Sequence, residues 1–237
     1  MKAKDQGILL RKIPYSENSL IVTFFCRNNG LKSFMFQGGK KKKGNLLFPL
    51  SIIEFEYYSR SDSSLGKITE IAPDFVPQSS ITHPIKSTLL FFFAEILQQT
   101  IRQEEKEEAF FLFLVAEIHE FDLAPFEPNY AIWFLLELTK WLGIEPEAES
   151  PNASHLDGTN GRIVDIPENT EKLIATGSYV SFLSQMLFLS KDKSLSIPSN
   201  GKTRKQAMTT LLTYYKLHID GFAFPKSLEV LDEVWND

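Results

Sequence analysis

The chain has 237 residues, 43% apolar and 23% charged, with one cysteine and a formal net charge of -5. This is enough to bury a core, and it excludes a fibrous repeat, a disordered tail and a disulfide-stapled miniprotein. The longest apolar runs, such as Leu89 to Ala94, fall far short of the roughly 20 residues that a bilayer span needs, and no signal-peptide core opens the chain, so the expected address is the cytoplasm with no membrane partner.

Charge is divided along the chain: residues 1–80 hold 12 Lys/Arg against 7 Asp/Glu, and the remainder 13 against 23. The division suggests an anion-binding module joined to an acidic scaffold, with unevenly charged solvated surface as the plain alternative. From Gly7 to Ile71 the pattern predicts five short strands, GILLRKI, SLIVTFFC, LKSFMFQ, LFPLSIIEFEYYS and LGKITEIA, separated by turn residues at 14–19, 28–30, 38–39 and 59–66. Five short strands leave bare edges in an open sheet, which closure into a small OB-like barrel removes.

APDFVPQSSITHP, with no periodicity, reads as an extended connector, placing a domain boundary near residue 78. Beyond it, apolar residues recur at threes and fours: Leu89 to Ile101, Phe110 to Ile118, Tyr130 to Leu142, Lys172 to Leu189 with a break near Gly177, Lys202 to His218, and Ser227 to Trp235. The expected fold class is α+β: an OB-fold barrel over 1–78, then an all-helical domain over 79–237. The polar stretch 146–167 is expected to be a surface loop.

QGGKKKKGN is the sharpest local feature. Four successive lysines, Lys40, Lys41, Lys42 and Lys43, cannot share one face of a strand, so they form a turn whose ammonium groups suit a polyanion. Arg11, Lys12, Arg27 and Lys32 are expected to extend that field across the barrel. Phe34, Phe36, Phe48, Phe55, Tyr57 and Tyr58 interleave with it; most belong in a core, with one or two left for base stacking.

Catalytic patterns are absent: there is no P-loop, paired-His zinc motif or nucleophile elbow. Cys26 reads as a buried thiol and His218 as a hydrogen-bonded core residue. Glu104, Glu105, Glu107 and Glu108 point to different sides of a helix and form no acid/base pair.

The run from Gly7 to Tyr58 resembles the N-terminal domain of the RecO recombination-mediator family. The resemblance is carried by the strand Gly7 to Arg11, Tyr15-Ser16-Glu17, the turn at Gly30-Leu31, the glycine-basic turn Gly38 to Lys43, and Leu47 and Pro49. FEPNYAIWFLLELTKWLGIEPE resembles that family's central helix. Leu211 to Val234, with Tyr215, His218 and Lys226-Ser227, resembles its C-terminal helix.

The resemblance implies a DNA-binding, non-enzymatic protein of repair by recombination. Family members bind single- and double-stranded DNA, anneal strands, engage the acidic tail of single-stranded DNA-binding protein, and join RecR to load recombinase, with no cofactor. Many relatives carry a four-cysteine zinc module where this chain has PEAESPNASHLDGTNGRIVDIP. No zinc is expected here, because His155, Asp157 and Asp165 offer one imidazole and no thiolate. A second basic island runs from Lys191 to Lys226; within it Arg204 and Lys205, beside Met208 and Leu212, are expected to receive the acidic tail. An RNA- or ribosome-binding OB protein is the alternative from the same basic groove, and an enzyme with an unrecognised polar site is a third.

Overall fold

Alternation of large apolar residues decides the first 75 positions. The structure, a computed structural model, describes residues 2–38, 46–59, 65–101 and 106–236. Its first five strands are β1 (Lys2–Pro14), β2 (Ser19–Cys26), β3 (Gly30–Gln37), β4 (Ile52–Tyr58) and β5 (Gly66–Phe75). Every second residue turns inward: Leu20, Val22, Phe24 and Cys26 from β2, Phe34 and Phe36 from β3, and Ile53, Phe55 and Tyr57 from β4. The rings interlock, with Phe24 stacked on Phe55 at 5.0 Å and Phe34 edge-on to both Phe55 and Tyr57 at 4.9 Å.

The pairings run β1-β2-β3-β5-β4 and return from β4 to β1, so the barrel has no free edge. All ladders are antiparallel except the seam between β3 and β5, where Phe34, Met35 and Phe36 pair with Gly66, Lys67 and Ile68. Gly66 is required there, since a Cβ would come within 2.6 Å of the Phe34 ring. β1 starts five residues earlier than the pattern suggests, and in its middle Ile8, Leu9 and Leu10 are all buried. A bulge between Leu9 and Arg11 resets the faces of the strand's second half. The LFPLS part of the fourth apolar run is not strand. It is a turn in which Leu50, at φ 63°, takes a left-handed conformation and donates its N–H to Leu9 O at 2.8 Å, while Leu9 N–H donates to Ser51 O at 2.9 Å.

The helices that follow are α1 (Gln78–Thr82), α2 (Pro84–Thr100) and α3 (Glu108–Leu123). The expected extended connector is therefore corrected: β5 continues through Phe75, and α1 starts three residues later. Phe25, on the outside of β2, is sealed by Phe110 and Phe111 of α3 at 5.6 and 5.7 Å. Lys86 is buried within α2, where its ammonium donates to the carbonyls of Phe121, Asp122 and Ala124 at 2.7, 3.3 and 2.5 Å. These are carbonyls that the end of α3 leaves without helical donors. By contacts the chain divides into two compact units, Met1–Pro125 with Pro225–Leu231, and Phe126–Phe224 with Asp232–Asp237.

The second unit contains α4 (Tyr130–Trp141), α5 (Ser178–Phe188), α6 (Lys191–Leu195) and α7 (Gly201–His218); α8 (Ser227–Asn236) ends the chain. It is not all helical. Four short strands, β6 (Glu147–Ala148), β7 (His155–Asp157), β8 (Arg162–Val164) and β9 (Leu173–Thr176), form a sheet of order β6-β8-β7-β9. The stretch 146–167 thus carries three short strands joined by turns rather than being surface loop throughout, and the helix expected from Lys172 begins only at Ser178, after β9 and Gly177 at φ 122°. Strands of two to four residues are too short to display alternation, and only Leu156, Ile163 and Ala175 are buried from this sheet. It rests on α7, whose His218 Nε2 meets the Gly158 carbonyl oxygen at 2.8 Å, while Tyr214 Oη donates to Ile144 O at 2.9 Å.

Candidate nucleic-acid interface

The outer surface of the barrel can be read from the ladder. Beyond the bulge, Arg11 and Ile13 face outward and stand opposite Thr23 and Ile21 of β2, which in turn stand opposite Ser33 and Met35 of β3. The Thr23 and Ser33 hydroxyls hydrogen-bond at 2.8 Å. Tyr15 continues the two-residue step past the end of β1, with its N–H donating to Ser19 O at 3.0 Å. Ile13 is 37% exposed and Tyr15 60% exposed. Gly38 N–H donates to Asn18 O, so the described chain runs toward the four lysines from this same end of the barrel. Lys40, Lys41, Lys42 and Lys43 themselves lie outside the described residues, as do Glu104 and Glu105.

The other expected cations do not join that face. Lys12 lies opposite inward-facing Val22, and its ammonium donates to the Leu47 carbonyl; partial burial lowers its pKa. Lys32 stands opposite Phe24 and is half-buried. Arg27 lies beyond the far end of β2, roughly 20 Å by strand rise from Ile21, which stands opposite Ile13. There its Nε and a terminal nitrogen both donate to Glu108 Oε1, at 3.0 and 2.7 Å. That guanidinium, through its hydrogen bond and then its charge, holds the Glu108 carboxyl below its ordinary value. Of the four strand cations expected to form one field, Arg11 alone lies on the outer face with Ile13.

Burial sorts the aromatics as the alternation implies: Phe34, Phe36, Phe55 and Tyr57 are core, and Phe48 packs edge-on against Phe91 at 5.3 Å. Tyr58, 50% exposed, stands opposite Lys2 and Lys67. Tyr15 was not among the expected stacking rings. Its signal was the step Arg11, Ile13, Tyr15, hidden because the bulge shifts the parity of β1 and the ring reads as part of a turn.

The β1–β4–β5 side is acidic. Glu56 lies opposite Lys4 and Glu70, and Glu54 opposite Gln6 and Ala72, along a groove of about 540 Å³. Hydrogen bonds from Lys2 and Lys4 hold Glu56 ionised, with its pKa lowered to about 2. Asp5, buried at the groove's edge, accepts from Asn28 N and Nδ2 at 3.2 and 3.0 Å and so pins the β2–β3 turn.

On α7 the expected tail pocket is corrected. Met208 and Leu212 are 1% and 0% exposed and face the core, so they offer no surface to a partner's ring. Arg204 donates to Ser199 O and Oγ at 3.1 and 3.0 Å, and partial burial lowers its pKa; Lys205 is exposed. Lys191 lies 4.5 Å over the Trp133 ring, a cation–π contact rather than an open charge. Over 146–167, where the resemblance implies a zinc module in many relatives, three separate arrangements occupy the imagined donors. Asp157 accepts from Thr159 N and Asn160 N, Asp165 from Ser150 Oγ, and His155 Nδ1 lies 3.1 Å from Ser154 Oγ. These donors do not fit zinc, and no group of three or more His, Cys, Asp or Glu residues able to hold a metal occurs among the described residues. Cys26 is buried in the barrel core, and that burial raises its pKa well above the ordinary thiol value. No helix among the described residues is long and apolar enough to cross a membrane.

Comparison with known proteins agrees with this geometry. The family described as recombination protein O, N-terminal, matches residues 1–73. Over whole chains, the protein is 33% identical across 242 residues to the DNA repair protein RecO of Flavobacterium psychrophilum, covering 100% of both. It is 31% identical across 240 residues to that of Christiangramia forsetii, covering 99% and 100%. To that of Bacteroides fragilis it is 29% identical across 243 residues, covering 100% of both. A barrel with an OB-fold N-terminal domain, a helical continuation and full-length similarity to these proteins together place the chain in the RecO family of DNA repair proteins.

Proposed function

We propose that the chain is a non-enzymatic recombination mediator. It binds single- and double-stranded DNA, anneals complementary strands, and helps load recombinase onto single-stranded DNA coated by its binding protein. In this reading residues 1–78 bind nucleic acid, residues 79–237 carry the protein contacts, and the sheet within 146–176 replaces a zinc module. The partners are the acidic tail of the single-stranded DNA-binding protein, with Arg204 and Lys205 as carboxylate contacts and a ring pocket other than Met208 and Leu212, and RecR. Its place is on the nucleoid in the cytoplasm.

The observation that carries the reading is the outer barrel face where Arg11, Ile13 and Tyr15 lie beside the root of the lysine turn, opposite in charge to the acidic β1–β4–β5 side. Replacing Lys40, Lys41, Lys42 and Lys43 by alanine should weaken binding to every DNA sequence and flatten its salt dependence, because each lost phosphate contact removes about one released counterion. Unchanged affinity and slope would refute the lysine turn as the grip. Competition with RNA oligonucleotides of equal length separates the RNA-binding alternative.

A further inference from the structure

The lysine turn can grip any phosphate chain, single or double; it cannot tell them apart. A duplex hides the faces of its bases, whereas a single strand exposes them to any ring that can stack. The face beside the turn offers such a ring. Tyr15 is 60% exposed, and next to it Ile13, Ile21 and Met35 form an apolar row closed by Lys67, which stands opposite Met35. Farther along the same outer surface Phe25 is already sealed by Phe110 and Phe111, which leaves Ile13, Ile21 and Met35 as the row beside the end from which the chain runs to the four lysines. Tyr58, the other exposed ring on the strands, is less suited. Its neighbour Lys2 is bound to Glu56, and the row beyond holds Glu56 and Glu70, whose charge repels phosphate.

We propose that Tyr15, with Ile13 and Met35, is a base-stacking platform that strengthens binding to single-stranded DNA and not to duplex. The proposal rests on the DNA-binding reading and adds a division of labour to it. The lysine turn and Arg11 hold phosphates of either form, and Tyr15 holds bases that only a single strand presents.

The test compares four forms of the full chain, wild type, Tyr15→Ala, Tyr15→Phe and the four-lysine variant, on an oligothymidylate and on a duplex of equal length. Tyr15→Ala should weaken single-strand binding roughly 5- to 100-fold, the loss of one stacked base, and leave duplex binding unchanged; Tyr15→Phe should bind as wild type. Tyr15→Trp adds an indole whose fluorescence should be quenched by the oligothymidylate and not by the duplex. If Tyr15→Ala leaves both affinities unchanged while the four-lysine variant weakens both, DNA binding stands and this assignment falls. Equal loss on both DNAs would make Tyr15 a backbone contact and overturn it. So would a change in sedimentation of the DNA-free protein, which would assign the face to a second copy of the chain.

Discussion

The chain builds two sheets by opposite means. The barrel turns a ring of phenylalanines, leucines and isoleucines inward, and every strand pairs on both sides. The four-stranded sheet of the second unit buries three small or medium side chains and borrows the rest of its order from α7 and from polar bonds at its turns. A sheet that owns its core is sensitive to lost volume. One that leans on a neighbour is sensitive to single hydrogen bonds and to pH.

The largest expected effect is therefore in the barrel. Phe24→Ala removes a fully buried ring stacked on Phe55 and should lower stability to urea by about 3–5 kcal/mol. A loss under about 1 kcal/mol would show that the barrel interior is not the close-packed ring described, and would break the comparison. Next comes the hydroxyl beneath the small sheet. Tyr214→Phe leaves the Ile144 carbonyl without its donor and should cost about 0.5–1.5 kcal/mol, with faster amide exchange in β7 and β8 and none of it in the barrel. The same change removes a phenol whose pKa burial raises to about 12; because the unfolded chain ionises first, near the ordinary value of about 10, any pH effect of the change should be confined to pH above about 10.

The smallest effect sharpens the contrast through pH. Burial opposes ionisation of Asp157, but the hydrogen bonds from Asn160 and Thr159 outweigh it and lower its pKa in the folded state. A depressed carboxylate stabilises above its unfolded pKa, near 3.9, and loses that contribution as pH falls through the lower folded value. Asp157 is largely solvated, so the effect should stay under about 1 kcal/mol. Melting temperatures at pH 7 and pH 3 should differ more for the wild type than for Asp157→Asn; an identical pH dependence would remove Asp157 from the turn's support.

The barrel was legible because its strands are long enough to alternate: Val22, Phe24 and Cys26 announce an inward row, and Phe34 and Phe36 belong to one face. The bulge was not legible, because no residue type marks it, and it concealed Tyr15 while making Arg11 and Lys12 look like neighbours in one field. Adjacent strand residues face opposite ways, so that pair could have been separated from the sequence. Arg27 looked free because its partner Glu108 lies 81 residues away. On α7 the spacing of Met208, Leu211, Leu212 and Tyr215 already describes a buried stripe, and reading Met208 and Leu212 as surface drew that stripe too narrow. The small sheet stayed hidden because its strands borrow their order from elsewhere in the unit.

The parallel seam of the barrel bears on how the chain reaches this structure. The first three strands can form from consecutive hairpins, with contacts only a few residues apart in sequence. Joining Phe34–Phe36 to Gly66–Ile68 instead requires the ends of a segment of about 30 residues to meet, with β4 laid between them, for a return of three residue pairs. The β1–β4 ladder joins residues farther apart still, from Ile8–Ile52 to Lys2–Tyr58, but returns seven pairs; the seam is the poorest joint of the barrel. It is the latch whose closing converts a three-stranded meander into a vessel with an inside, and the non-locality of its contacts, rather than the strength of the phenylalanine ring, is what slows that step.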